Sequence, residues 1–261
     1  MAAHRRHGQG LRRGERAIGR RTRRARASAI ALLALIVVTL TGPLARDARA
    51  QDRFAPVASL VETARQAMGA PAVSAAVVED DRLVWSAGFG LADVEHETPA
   101  TARTVYRIAS ISKPFAATSV MQLVERGKVR IDDPIQHYVP AFPVKGETTI
   151  TLRHLMTHTS GIRHYKPGEM ENLVTFHSIE DAIAIFKDDP LLFTPGAKYS
   201  YSSYAYNLLA GVVERASGIA YEAYLHEHIF EPAGMRDTRL EHPEEIVKAR
   251  ARQYVKAGAN G

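Results

Sequence analysis

The 261-residue sequence predicts an α/β chain of the α+β kind, an antiparallel sheet flanked by helices together with a largely helical region. Three observations carry that expectation. Two β-rich runs, Ala72 to Glu79 and Arg82 to Gly90, are separated only by Asp80-Asp81, which reads as a hairpin and therefore as antiparallel pairing. Beyond Lys113 nearly every residue to Val124 is apolar or small, which predicts a helix buried over most of its circumference. Helical spacings then dominate the chain from Ser178 to Phe230.

Taken in order, residues 1–50 carry twelve arginines against only Glu15 and Asp47, whereas the remaining 211 residues hold 22 basic and 26 acidic side chains. The net charge of +6 therefore describes the first segment and not the rest. A basic run, an apolar stretch from Ala29 to Leu40 broken only by Thr39, and Ala48-Arg49-Ala50 together read as a secretory signal peptide cleaved before Gln51. An uncleaved membrane anchor is the alternative, and the membrane is expected as a partner only through this segment. The placement of the arginines directly before an apolar stretch argues against a nucleic-acid tail. No cysteine is present, which excludes disulfides and a thiol nucleophile. Residues 51–261 are expected to form one domain resting on its hydrophobic core.

Val57, Leu60, Val61, Ala64 and Met68 recur at helical spacing before Gly69, predicting a surface helix over 56–68. The hairpin follows, with Trp85 expected to pack rather than bind. Leu91 to Thr104, rich in Thr, Glu and Pro, reads as a connecting loop, and turns dominate 127–150, with a short helix expected from Asp132-Asp133-Pro134. Thr151 opens another short helix. On it His154 and His158 stand at metal-ligand spacing, but no neighbouring carboxylate completes a ligand set, so no metal and no cofactor is expected. Ser178 caps a helix reaching Phe186, and further helices span Ser203 to Ser217 and Tyr221 to Phe230. The run from Arg250 to Lys256 alternates like a strand, with a turn expected at 258–261.

The chemistry-bearing stretch is Ser110-Ile111-Ser112-Lys113-Pro114. Proline is tolerated in a first helical turn, so the helix is expected to begin at about Ser110 and to close at Gly127. A spacing of three then places the Ser110 hydroxyl and the Lys113 ammonium on one face, at the positive end of the helix. Ser110 read alone could equally be an N-cap. A second cluster, Tyr199-Ser200-Tyr201-Ser202-Ser203, follows Thr194-Pro195-Gly196.

Together Ser-x-x-Lys and Tyr-x-Ser resemble the signatures of the serine β-lactamase and penicillin-binding-protein family, in its class C, D-alanyl-D-alanine carboxypeptidase and esterase branch. Gln136-His137-Tyr138-Val139-Pro140, Ser160-Gly161-Ile162-Arg163-His164-Tyr165 and Val213-Glu214-Arg215-Ala216-Ser217-Gly218 resemble in particular the mitochondrial serine β-lactamase-like proteins of animals. Leu155-Met156-Thr157-His158-Thr159-Ser160-Gly161 resembles a structural stretch beside that family's active site. The resemblance implies a β-lactamase/transpeptidase-like fold, with Ser110 as nucleophile, Lys113 as base or proton shuttle, Tyr201 as second base and acid, and Ser203 as a hydrogen-bond partner of Lys113 or substrate. The family's third signature, Lys-Thr-Gly or His-x-Gly on a later strand, is not found, so the C-terminal part of the fold is expected to be missing. Ser203 replaces a commoner asparagine and Ala205 a common glycine, which weighs against β-lactam hydrolysis in particular. The expected activity is acyl transfer from an amide or ester, on a small molecule or peptide, with no nucleic acid involved. The competing expectation is a catalytically inactive binding or scaffolding domain. Sequence leaves open whether Lys113 or Tyr201 is the resting base.

Overall fold

The structure, a computed structural model, describes residues 53–170, 174, 176–242 and 244–255. The predicted leader and the turn at 258–261 lie outside them. The described chain falls into two compact units, 53–105 with 248–255, and 106–247.

The first unit opens with helix α1, residues 53–68, slightly longer than the sequence periodicity suggested. Strands β1 (Ala72–Glu79) and β2 (Arg82–Asp93) pair antiparallel from Ala72 opposite Gly90 to Glu79 opposite Arg82, with an irregularity at Val77/Val78. Asp80 and Asp81 both take positive φ, +48° and +59°, the conformation that a two-residue hairpin loop demands and that aspartate tolerates. Trp85 packs between Phe54 of α1 and Phe89, at ring separations of 5.9 and 6.3 Å.

The expected loop after Gly90 needs correction. Strand β2 runs on to Asp93, and a short strand β3 (Thr98–Pro99) pairs back onto it. Asp93 accepts the His96 N–H at 3.0 Å and Glu97 turns at φ +49°, closing a hairpin out of residues with low strand propensity. The strand expected over 250–256 is also corrected. Arg250 forms only an isolated parallel bridge to Val105, and the next contact, Arg252 N–H to the Ala92 carbonyl at 2.8 Å, goes to a different part of the unit. No regular ladder can form when successive residues bond to different segments.

The second unit is helical. Its elements are α2 (Lys113–Glu125), α3 (Leu152–Met156), α4 (Ile179–Ala184), α5 (Ser203–Ser217) and α6 (Tyr221–Leu225). Helix α5 is the centre of the packing and touches α2, α3, α4 and α6. Leu208, Leu209, Val212 and Val213 are fully buried on it. A β-carbon on its Gly211 would approach Val139 Cγ2 to 2.8 Å and Ile179 Cγ2 to 3.0 Å, so glycine here lets neighbouring elements close in. The helix ends at Gly218 with φ +84°, the left-handed stop that glycine allows.

Helix α2 buries one face and not its whole circumference. Ala116, Ser119, Val120 and Leu123 point inward, whereas Met121 is 45% exposed on the side that also carries Pro114 and Glu125. Three further boundaries differ from expectation. The turn after Pro134 is a 3₁₀ turn over Ile135–His137, α4 stops before Ile185, and α6 passes at His226 into a π-helical turn through Phe230. Among the described residues no helix is long and apolar enough to cross a membrane.

Candidate active site

All four residues singled out in the sequence come together in the second unit. A 3₁₀ turn, Ala109–Ser112, leads directly into α2 at Lys113, and Pro114 sits in the first turn as its missing N–H requires. Ser110 is therefore no N-cap, since Ser112 takes that position without a side-chain bond. Ala109 just before it is held at φ +43°, a conformation that costs a non-glycine residue about 1–3 kcal/mol and that clusters at functional sites. Lys113 Nζ donates to Ser110 Oγ at 3.0 Å and to Ser203 Oγ at 3.1 Å. The Tyr201 hydroxyl donates to Ser110 Oγ at 2.7 Å. Ser110 Oγ is thus addressed by an ammonium and a phenol at once, and Lys113 lies 5.0 Å from the Tyr201 ring centre.

The electrostatics separate tyrosines of like chemistry. Burial pushes the Tyr201 phenol up, but hydrogen bonds with Lys113, Ser110 and Ser203 and the Lys113 charge outweigh it and leave Tyr201 below the usual phenol range. Burial pushes Tyr206 up, with the neighbouring Tyr201 and Tyr199 adding to the effect, and its hydroxyl is engaged by the Met156 carbonyl at 2.9 Å. Environments that drive like groups apart are how proton-transfer roles become assigned. Tyr204 and Tyr206 pack against their neighbours, whereas Tyr199 is 69% exposed and meets the His158 ring edge-on.

The tyrosine motif is positioned by α5, whose first residue is Ser203. Ser202 caps it: buried, its Oγ accepts the Ala205 N–H at 3.1 Å and donates to the Arg163 carbonyl at 2.8 Å. Arg163 is anchored by Glu169 at 2.7 Å and Asp189 at 2.6 Å. The Arg163 hydrogen bond, helped by the Lys166 N–H and the Tyr204 hydroxyl, holds Glu169 well down, at about 2. His158 and His164 also reach the motif, through ring nitrogens that accept the N–H groups of Ser202 and Ser203. Sequence reasoning did not find Ser202, Arg163 or the two histidines as site residues. The Leu155 to Gly161 motif pointed at the segment without giving its side chains a task. Of the two histidines at metal-ligand spacing, His154 is turned back to the Thr151 N–H at 3.3 Å as part of a capping box, and His158 has left the helix at φ +57°.

Residues 57–261 match the family described as Beta-lactamase. The chain belongs to the β-lactamase family. It is 34% identical over 264 residues to the mitochondrial serine beta-lactamase-like protein LACTB of Homo sapiens, covering 75% of this chain and 48% of that protein. It is 32% identical over 188 residues to the esterase EstB of Burkholderia gladioli, covering 66% of this chain and 47% of the other. Among solved structures, the octameric penicillin-binding protein homologue from Pyrococcus abyssi superposes with a TM-score of 0.68 at 31% identity, covering 77% of this chain and 48% of that one. The fold is β-lactamase/transpeptidase-like, and the resemblance drawn from the motifs holds at the level of the family. This β-lactamase-family chain spans about half the length of the relatives it matches.

Proposed function

We propose that the chain is a serine hydrolase that acts through an acyl-enzyme on Ser110. The observation that carries the reading is the convergence of Lys113 and Tyr201 on Ser110 Oγ at 3.0 and 2.7 Å. An amide or ester carbonyl carbon would be attacked by Ser110 Oγ, whose proton passes across the 2.7 Å contact to Tyr201 in its deprotonated form, a phenolate that the Lys113 hydrogen bond and charge favour. Tyr201 would then return that proton to the departing amine or alkoxide as the carbonyl reforms. Hydrolysis reverses the roles, with water in place of the leaving group. The Ser110 N–H belongs to the second residue of the 3₁₀ turn, where such groups lack an intrahelical acceptor, and would donate to the developing oxyanion. Ser203 would keep Lys113 oriented through its 3.1 Å contact. Kinship with the esterase EstB and with a penicillin-binding protein homologue supports ester and amide carbonyls as the substrate class.

A fluorophosphonate probe tests this. It is expected to attach at Ser110, to fail on Ser110→Ala, and to react faster as pH rises until a plateau below the ordinary phenol range, a dependence that Tyr201→Phe removes. An adduct on another serine refutes the assignment, and no adduct at all leaves the reading of a non-catalytic binding domain.

A further inference from the structure

Two imidazoles grip the strand-like segment that carries Tyr201. The His158 carbonyl accepts the Ser200 N–H at 2.8 Å, and its Nδ1 accepts the Ser202 N–H at 3.2 Å. His164 Nδ1 accepts the Ser203 N–H at 3.3 Å. The Tyr201 ring lies between them, 4.5 Å from the His158 ring and 5.3 Å from that of His164, the latter edge-on. The amides of Ser202 and Ser203 open α5, where N–H groups must find acceptors outside the helix. We propose that His158 and His164 are positioning residues, which as neutral Nδ1 acceptors lock the backbone on either side of Tyr201 and so fix Tyr201 and Ser203 against Ser110 and Lys113. The proposal rests on the serine-hydrolase reading and adds its control by pH.

The chemistry allows only one protonation state. A ring nitrogen that accepts an N–H cannot carry its own proton, so each imidazole must be neutral with the proton on Nε2. Protonation would turn both Nδ1 atoms into donors facing donors. The groups facing His158 are Lys113, His164, Tyr199, Tyr201 and Tyr206; those facing His164 are Lys113, His158, Tyr165 and Tyr201. Burial and the Lys113 charge both favour the neutral rings and hold them below the ordinary histidine range. His158 has φ +57°, which is costly for most side chains but which asparagine also tolerates, and asparagine's Oδ1 can stand where Nδ1 stands.

The test uses the full chain, a fluorophosphonate probe, and the variants His158→Asn, His164→Asn, His158→Leu and His164→Leu. Above the histidine range each leucine variant is expected to label Ser110 about a hundredfold more slowly, and each asparagine variant to return to within about tenfold of wild type. Wild type is expected to lose rate on acidification with an inflection below the ordinary histidine pKa, and the double asparagine variant to lack that inflection. Leucine variants labelled at the wild-type rate overturn the proposal. So does a double asparagine variant that keeps the wild-type inflection, a comparison that holds even where a leucine variant fails to fold. If wild type takes no label at Ser110, the hydrolase reading fails, and imidazole nitrogen resonances decide the positioning role by themselves. Neutral Nε2–H rings whose protonation moves the Ser202 and Ser203 amide signals support it, and Nδ1–H rings overturn it.

Discussion

Ser202→Ala and Ser203→Ala alter adjacent residues by one oxygen each, and the geometry assigns them opposite consequences. Ser202 Oγ is buried, caps α5 through the Ala205 N–H and satisfies the Arg163 carbonyl. Loss of the cap costs about 1 kcal/mol. A buried carbonyl left without a donor costs about 1–3 kcal/mol more, and because both bonds share one oxygen a total of about 2–3 kcal/mol is reasonable. With a urea dependence of about 2 kcal/mol per molar, the unfolding midpoint followed by far-UV circular dichroism should fall by about 1 M. Ser203 Oγ instead meets Lys113 Nζ, which keeps Ser110 as a second partner. Its removal should cost no more than about 1 kcal/mol, yet slow Ser110 labelling, since Lys113 loses one of the contacts that aim it. Ser202→Thr retains the oxygen and should recover most of the midpoint. A Ser202→Ala protein that unfolds with wild type, or a Ser203→Ala protein that falls as far as Ser202→Ala, would refute this division.

Two further outcomes follow from charges. Arg163 holds the Glu169 carboxyl at about 2, below its unfolded value of 4.5, so the stabilisation is present above pH 4.5 and lost as pH falls toward 2; thermal midpoints of Glu169→Gln should vary less over that window than those of wild type, and an unchanged slope would contradict the pairing. The charge contrast between residues 1–50 and the rest predicts cleavage on export, so terminal sequencing of the exported protein should return Gln51, and a terminus within residues 1–28 would oppose it.

How much could be read from sequence depended on whether a residue's task follows a local period. The Asp80-Asp81 hairpin, α1 and α5 were legible because apolar spacing and turn chemistry are properties of short windows. The pairing of Ser110 with Lys113 was legible for the same reason, one helical turn separating them. Strand β3 was not, since Thr98-Pro99 has no pattern of its own and is ordered by β2 and by the Asp93 carboxylate. The 250–255 segment erred the other way: its alternation is real, but a strand needs a continuous neighbour, and Val105 and Ala92 supply only separate contacts. Within α2, the apolar count suggested burial all round because composition does not say which side has a partner; Met121 shows that one side is exposed among the described residues.

The site was read in two layers of different difficulty. Residues proposed to meet substrate, Ser110, Lys113, Tyr201 and Ser203, declare themselves by chemical type and by resemblance. Residues that hold them do not, because the atoms they act on are backbone amides, which every sequence contains at every position. His158, His164 and Ser202 each bond to a main-chain group 39 to 44 residues distant or three residues on, and neither separation leaves a periodic trace. What could have pointed to His158 is its place in a segment ending Thr159-Ser160-Gly161, where Gly161 has φ +76° and a β-carbon would meet the Phe193 carbonyl at 2.4 Å. A loop so tightly constrained serves as a fixed support. Its rigidity is what would turn protonation of one imidazole into displacement of Tyr201, since a support that could yield would absorb the change and leave the 2.7 Å contact with Ser110 intact.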